Sequence, residues 1–208
     1  MISKLQYITH TIEGKNHIQL CREACEAGVK WIQLRMKNAI EFDWEHAAVE
    51  CLEICEDFGA TLIINDNVEV ADRVMAHGIH LGKEDMKPSE ARKILGEGKI
   101  VGGTANTFED IQYLVSEGVD YIGLGPFKET KTKKKLSPIL GHTGYKEIIQ
   151  KCKEHNINIP IVGIGGVEAE DVDELLNDGL FGVAVSGVIT NSNDKKKTIK
   201  EFNKRLNS

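Results

Sequence analysis

Short apolar runs recur along the chain, and each of them ends in a polar or glycine-containing segment. Amphipathic stretches separate the runs, with apolar residues at i, i+3 and i+4 over residues 44–58 and 143–155. The pattern predicts strands that alternate with helices. The predicted strands are residues 5–8, 31–34, 62–64, 79–81, 100–101, 121–124, 161–164 and 181–185.

Strands that alternate with helices pair in parallel, and eight such units predict closure into a barrel. We therefore expect an α/β fold, a single (β/α)8 TIM barrel of eight parallel strands that spans residues 1–208 as one domain. The alternative is an open doubly wound sheet, but no glycine-rich turn follows the first strand. A glycine precedes most strands, and we expect these glycines to end the helices in the left-handed conformation.

Composition and charge limit the classes of molecule that the protein is expected to bind. The chain has 208 residues and 26 Lys and Arg against 32 Asp and Glu, a net charge of −6, which argues against nucleic acid. The lysines cluster at residues 128–135, which favours a small anionic ligand over a polyanion. The N-terminus lacks an apolar leader and no run reaches membrane-spanning length, so we expect a cytoplasmic protein that does not bind membranes.

Five cysteines are present, an odd number in a chain too large to need disulfide bonds, which predicts reduced thiols. Cys21 and Cys25 are four residues apart in a predicted helix, and so are Cys51 and Cys55. The favoured interpretation is that all four are small buried residues on core-facing stripes. Zinc binding and disulfide formation are the alternatives.

Two carboxylates follow successive predicted strands. Asp66 comes after residues 62–64 and Asp85 after residues 79–81, so both should lie at the same end of the barrel. Two oxygen ligands, completed by water and a ligand phosphate, are a usual way to hold Mg²⁺. Glu84 and Asp72 are alternative ligands that the spacing alone does not exclude.

The end of the second predicted strand and the residues after it, 33–37, alternate polar and apolar residues, which places Gln33, Arg35 and Lys37 on one side. Inside a barrel that side disfavours charge unless it faces an anion. A phosphate clamp is the favoured interpretation, and a salt-bridged barrel interior is the alternative. His80 alternates with apolar neighbours, and we expect a hydrogen-bonded interior histidine there, not a metal ligand.

The last three strand ends carry further anion-binding groups. Thr130, Thr132 and Lys133 lie in the loop after the sixth strand, where hydroxyls and an ammonium could close over a phosphorylated substrate. The seventh strand runs into Gly165-Gly166 and the eighth into Ser186-Gly187. Backbone amides after these two strands form the recurrent phosphate site of this fold.

Six ordered motifs between about residue 30 and residue 187 closely resemble the thiamine phosphate synthase family. They are Gln33-Leu34-Arg35-x-Lys37, Ile64-Asn65-Asp66, Gly78-Ile79-His80-Leu81-Gly82-x-Glu84-Asp85, Gly125-Pro126-Phe127, Thr130-x-Thr132-Lys133 and Gly163-Ile164-Gly165-Gly166. The resemblance implies a Mg²⁺-dependent transferase that joins 4-amino-2-methyl-5-hydroxymethylpyrimidine diphosphate to 4-methyl-5-(2-hydroxyethyl)thiazole phosphate. The products would be thiamine phosphate and diphosphate, formed by a dissociative substitution.

The resemblance also assigns roles by matching position. Asp66 and Asp85 would hold Mg²⁺, and Arg35, Lys37 and Lys133 would be catalytic. The pyrimidine diphosphate would be bound by Gln33, Arg35, Lys37, Asn65, Thr104 and Lys133. The thiazole phosphate would be bound by Thr130, Thr132, Gly166, Ser186 and Gly187. The implied partners are these small phosphorylated substrates, and homologues suggest self-association.

The chain departs from the family pattern at three places, one of which, Thr104 where serine is common, keeps the hydroxyl. Ser186-Gly187 replaces a hydrophobic residue followed by serine, so backbone amides must carry more of that phosphate site. Asn106 stands where histidine is frequent, which argues against the related thiazole tautomerase, whose proposed acid–base histidine aligns there. Two competing interpretations are a non-catalytic barrel that binds thiazole phosphate or thiamine phosphate, and a sugar-phosphate isomerase or aldolase.

Overall fold

Eight parallel strands close into a barrel in sequence order, and the helices that connect them cover the outside. A computed structural model describes residues 2–37, 40–130 and 137–208. Each strand pairs with its sequence neighbours, and β1 pairs with β8 to close the sheet. This arrangement confirms the predicted (β/α)8 fold and rules out the open doubly wound sheet.

The observed strands agree with the predicted runs to within a few residues. They are β1 (Leu5–Ile8), β2 (Trp31–Leu34), β3 (Thr61–Asn65), β4 (Gly78–Leu81), β5 (Ile100–Ala105), β6 (Tyr121–Leu124), β7 (Ile161–Ile164) and β8 (Gly182–Val185).

Helices follow every strand, and the eighth strand is followed by a short helix and a long one. The helices are α1 (His17–Glu26), α2 (Glu41–Asp57), α3 (Val68–Arg73), α4 (Pro88–Leu95), α5 (Phe108–Ser116), α6 (Gly141–Glu154), α7 (Val172–Asp178), α8 (Gly187–Thr190) and α9 (Lys195–Leu206). A 3₁₀ turn, Ala169–Asp171, precedes α7. In the part of the chain that is described, no helix combines the length and hydropathy that a membrane span requires.

The apolar core has two parts, one outside the sheet and one inside it. The larger part lies between strands and helices, and it includes Ile32 and Leu62 of the strands together with Leu20 and Ile54 of the helices. The smaller part fills the barrel interior and consists of Ile8, Trp31, Ile63, Tyr121, Val162 and Ala184. The interior is therefore a packed core. At the carboxyl ends of the strands this core lies beneath the opening of the barrel, which we call the mouth.

Most of the expected glycine caps are present, but Gly78 and Gly98 lack the left-handed conformation. Gly28, Gly59, Gly118 and Gly179 all have positive φ at the ends of helices. Gly78 was expected to behave in the same way, but it is the first residue of β4, where an added Cβ would lie 2.1 Å from the carbonyl oxygen of Ile100. Close strand approach, and not helix termination, requires that glycine.

Candidate active site

A chain of buried polar side chains crosses the barrel interior beneath the mouth. Gln33 donates from Nε2 to Gln6 Oε1 at 3.3 Å, and Gln6 donates from Nε2 to the Tyr121 hydroxyl at 3.2 Å. His80 contacts the Tyr121 hydroxyl through Nδ1 and Thr104 Oγ1 through Nε2, each at 2.9 Å. His80 is thus a hydrogen-bonded interior residue, as predicted, and it orients the Thr104 hydroxyl.

Two glycines make room for this network. A Cβ at Gly102 would lie 2.2 Å from Cε1 of Tyr121, and a Cβ at Gly123 would lie 3.3 Å from Cε1 of His80. The absence of side chains at these two positions of β5 and β6 therefore lets two large polar rings lie across the interior. Burial raises the pKa of Tyr121, so its hydroxyl stays protonated and serves as a hydrogen-bonding group.

The carboxylates of Asp66 and Asp85 meet at the ends of β3 and β4. Asp66 follows β3 with a φ of 66°, and its amide donates to the His80 carbonyl oxygen at 2.9 Å. Asp85 Oδ2 accepts from the Gly82 amide at 2.6 Å. Burial, followed by a hydrogen bond with Asp66, raises the pKa of Asp85 to about 6. Two carboxyl groups held this close are poised to share a cation.

Two cationic side chains from the end of β2 face this acidic pair. Lys37 Nζ lies 2.5 Å from Asp66 Oδ2, and the Arg35 amide donates to Thr9 Oγ1 at 3.1 Å. Burial lowers the pKa of the Arg35 guanidinium, and the charge of Asp66 offsets part of that change. Positive and negative groups thus alternate around this side of the mouth, a suitable setting for a diphosphate and a metal ion.

The ends of β7 and β8 present backbone instead of charged side chains. Gly165 and Gly166 have φ values of 90° and 70°, and a Cβ at Gly166 would lie 2.7 Å from the Glu129 carbonyl oxygen. The Lys128 amide donates to the Gly165 carbonyl oxygen at 2.8 Å. Gly187 begins the short helix α8, and its amide and the next one precede the two helix amides that donate to the Ser186 carbonyl oxygen. The first two amides of α8 are available to an anion.

The Ser186 hydroxyl is turned towards β1. Its Oγ donates to the Ile8 carbonyl oxygen at 2.6 Å and contacts His10 Nδ1 at 2.8 Å. Because the hydroxyl has one proton, His10 must donate from Nδ1 in this pair. Ser186 therefore lines the mouth, and its hydroxyl links the end of β8 to β1 and to the segment that follows β1.

All the predicted site residues that the structure describes line one cavity at the carboxyl ends of the strands, with a volume of about 980 Å³. They are Gln33, Arg35, Lys37, Asn65, Asp66, Asp85, Thr104, Thr130, Gly166, Ser186 and Gly187. This volume is at the upper end of the range for small-molecule pockets, so two small substrates can share the cavity. Of the two alternative metal ligands, Glu84 lines the cavity, whereas Asp72 lies on α3 and is not among the lining residues.

Two predicted residues, Thr132 and Lys133, lie outside the described residues. On either side of residues 131–136, the Leu140 amide donates to the Pro126 carbonyl oxygen at 2.9 Å and the Gly141 amide to that of Phe127 at 3.1 Å. These hydrogen bonds join the described residues on the two sides next to Pro126, which lines the cavity.

Sequence reasoning missed several residues that line the cavity. Lys83 lies between the strand end and Asp85, and its Nζ is 2.5 Å from Asp110 Oδ2. Ser192 and Thr198 reach the cavity from the segment around the start of α9. The position of Lys83 just after β4 was a usable signal, whereas the contribution of α9 depends on how the last helix packs.

The closed parallel sheet defines a (β/α)8 barrel, and its cavity lies at the carboxyl ends of the strands, where this fold places its active sites. The chain matches the thiamine monophosphate synthase family over residues 5–189 and belongs to that family. It is 49% identical over 206 residues to a thiamine-phosphate synthase of Flavobacterium johnsoniae, covering 99% of this chain and 97% of the relative. A thiamine-phosphate synthase of Phocaeicola vulgatus is 47% identical, covering 92% of each chain.

A solved structure of similar sequence shares the architecture. The thiamine phosphate pyrophosphorylase from Pyrococcus furiosus superposes with a TM-score of 0.84 at 29% identity, covering 98% of this chain and 95% of that one. 3-Hexulose-6-phosphate synthase has a TM-score of 0.73 at 13% identity, which shows the common fold alone.

Proposed function

We propose that this protein is a thiamine phosphate synthase, a transferase that joins the pyrimidine diphosphate to the thiazole phosphate and releases diphosphate. The observation that carries the proposal is the arrangement of one cavity. Arg35, Lys37, Asp66 and Asp85 lie on one side of it, and the glycine-rich ends of β7 and β8 lie on the other. A site that only bound a phosphate would have no need for the first group.

The charged side of the cavity suits the departing diphosphate. In the proposed reaction the bond between the pyrimidine methylene carbon and the diphosphate oxygen breaks, and negative charge accumulates on the leaving group. Arg35 provides a half-buried guanidinium, which forms paired hydrogen bonds to phosphate oxygens, and Lys37 provides an ammonium. Groups fixed in place before the reaction stabilise such charge without reorganisation.

Asp66 and Asp85 would hold Mg²⁺. The fit rests on their chemistry in this structure: two carboxyl groups in contact, one with its pKa raised to about 6 because burial and its neighbour disfavour its charge. Hard oxygen ligands suit this ion, and Glu84 at the same cavity is a further carboxylate. When bound, Mg²⁺ would neutralise charge on the diphosphate.

The opposite side of the cavity suits the thiazole phosphate. Gly166 and Gly187 expose backbone amides, and Thr130 adds a residue from the loop after β6. The thiazole nitrogen forms the new bond to the pyrimidine methylene carbon with its lone pair. That nitrogen has no proton to lose, so the step needs no general base.

The remaining assignments complete the proposal. Gln33, Asn65 and Thr104 would contact the pyrimidine, since all three line the cavity floor beside the polar network. Thr132 and Lys133 would act on the thiazole phosphate and the leaving group, respectively. We further propose a single domain, a cytoplasmic location and a homo-oligomer.

The test is a direct assay of the purified protein with both phosphorylated substrates, with and without Mg²⁺. We expect thiamine phosphate and diphosphate in equal amounts, formed only when both substrates and the metal are present. The thiazole tautomerase is the competing enzyme, and its acid–base histidine aligns with Asn106. The Asn106 side chain donates to the Gly125 carbonyl oxygen and cannot shuttle a proton. Rearrangement of a thiazole substrate alone, without the pyrimidine, would contradict the proposal.

A further inference from the structure

Two helices on the outside of the barrel each carry a pair of cysteines, and the pairs face each other. Helices α1 and α2 pack side by side. Cys21 and Cys25 lie on α1, and Cys51 and Cys55 lie on α2. All four side chains are at most 2% exposed. Burial agrees with their interpretation as small core residues, but burial alone does not require three of the four sulfurs to converge on one point.

The sulfur atoms are spaced as a single metal ion would need. The Sγ atoms of Cys21, Cys25 and Cys55 all lie within 4.8 Å of one another, and those of Cys21 and Cys55 are 3.8 Å apart. Tetrahedral zinc with Zn–S bonds of about 2.3 Å separates its sulfurs by about 3.8 Å. Within the described residues, this is the one group of three or more His, Cys, Asp or Glu ligands that comes so close together.

Cys51 is placed to supply a fourth sulfur. Cys21 Sγ lies 3.9 Å from the Cys51 carbonyl oxygen, and Cys51 Sγ lies 4.0 Å from the His17 carbonyl oxygen. Cys51 Sγ is not part of the group of three close sulfurs, so another staggered χ1 rotamer of Cys51 would be required for it to become the fourth ligand.

We propose that Cys21, Cys25, Cys51 and Cys55 bind one Zn²⁺ ion as a structural site between α1 and α2. The site is closed and buried, with sulfur ligands only, which is the pattern of structural and not catalytic zinc. It would fasten the two helices that flank β2, the strand that presents Arg35 and Lys37 to the cavity. The inference is independent of the proposed function, because none of the four cysteines lines that cavity.

The experiment begins with the whole protein, purified under reducing and anaerobic conditions and incubated with a stoichiometric amount of Zn²⁺. We expect one zinc per chain by native mass spectrometry and elemental analysis. X-ray absorption at the zinc edge should give a first shell of sulfur alone at about 2.3 Å. Cobalt in place of zinc should give thiolate charge-transfer bands and the intense visible bands of tetrahedral coordination.

Variants assign the ligands. Cys21→Ala and Cys55→Ala should each lose the bound zinc. Cys152→Ala is the matched control and should keep it, because Cys152 is an equally buried thiol on α6, away from the cluster. The cobalt spectrum of the unmodified protein decides the question if a cluster variant fails to fold.

Three results would overturn the proposal. They are a reduced protein that takes up no zinc, a first shell of nitrogen or oxygen, and a Cys21–Cys55 disulfide that persists in the reduced preparation. Zinc that Cys152→Ala removes and Cys21→Ala leaves in place would equally contradict it.

Discussion

The two sides of the barrel mouth differ in the chemical groups that they offer to an anion. The side formed by β2, β3 and β4 uses charged side chains, with Lys37 2.5 Å from Asp66 and Asp66 in contact with Asp85. The side formed by β7 and β8 uses glycines and backbone amides, with Gly166 in a left-handed conformation. Charged groups suit a phosphate whose charge grows during the reaction, and amides suit one that is only held in place.

The largest predicted effect is that of Asp66→Asn on the charged side. Asparagine tolerates the left-handed backbone found at this position, so the variant should fold. We expect kcat/KM to fall about 10³-fold, because the variant weakens metal binding that stabilises transition-state charge by several kcal/mol. Steady-state kinetics over a series of Mg²⁺ concentrations measures this loss.

Asp72→Asn is the matched control, since Asp72 is an exposed aspartate on the adjacent helix α3. Its kinetics should resemble those of the unmodified protein. If Asp66→Asn had normal turnover and normal metal dependence, the assignment of the metal to this side of the mouth would be wrong.

Next in size is Arg35→Gln, which removes the half-buried guanidinium. We expect kcat to fall about 10²-fold while the KM for thiazole phosphate changes little, because the lost stabilisation belongs to the leaving group. Arg22→Gln on the exposed face of α1 is the control and should be kinetically silent. A change confined to the KM for thiazole phosphate would show that Arg35 serves the other substrate.

Gly166→Ala tests the amide side. The added Cβ would lie 2.7 Å from the Glu129 carbonyl oxygen and push the loop after β6 away. We expect the KM for thiazole phosphate to rise about tenfold, the equivalent of about one hydrogen bond, with kcat nearly unchanged. Gly118→Ala has a similar φ, 75° against 70°, and open space around the new Cβ, so it reproduces the backbone strain alone.

An unchanged KM in Gly166→Ala, or an equal rise in Gly118→Ala, would show that the strand-end geometry does not hold the phosphate.

The smallest effect concerns Asp85 and the stability of metal-free protein. Its pKa of about 6 in the folded state exceeds the usual aspartate value of about 3.9, so the folded chain binds more protons between these pH values. The contribution of Asp85 to stability is present below about pH 4 and is lost as pH rises through about 6. Denaturant unfolding in EDTA measures this effect. As pH rises through this window, the free energy of unfolding of Asp85→Asn should increase relative to that of the unmodified protein. A pH-independent difference would contradict the raised pKa.

Local pattern was sufficient for the fold and for the positions of the strand ends. The period of apolar runs predicted all eight strands, and parallel pairing then required Asp66 and Asp85 to lie at one end. Helix α2 begins at Glu41, a few residues before the predicted start at residue 44, and this difference changes only the position of a helix end.

Long-range contacts account for what the pattern could not predict. The Ser186 hydroxyl is committed to Ile8 and His10, at the opposite end of the chain. Gln33 is held by Gln6 on the neighbouring strand, which fixes how its amide faces the cavity. The convergence of the cysteine sulfurs depends on the packing of α1 against α2. In each case the spacing along the sequence predicts which residue lies near the site. Tertiary packing determines the direction of its side chain.

The most direct measurement of the central claim, that the charged side of the mouth holds the metal and the diphosphate together, is a crystal structure with Mn²⁺ and the pyrimidine diphosphate. Anomalous scattering should place a Mn²⁺ peak within coordination distance of both Asp66 and Asp85, with diphosphate oxygens between that ion and Arg35. A peak remote from either carboxylate, or a diphosphate bound at the ends of β7 and β8, would contradict the account.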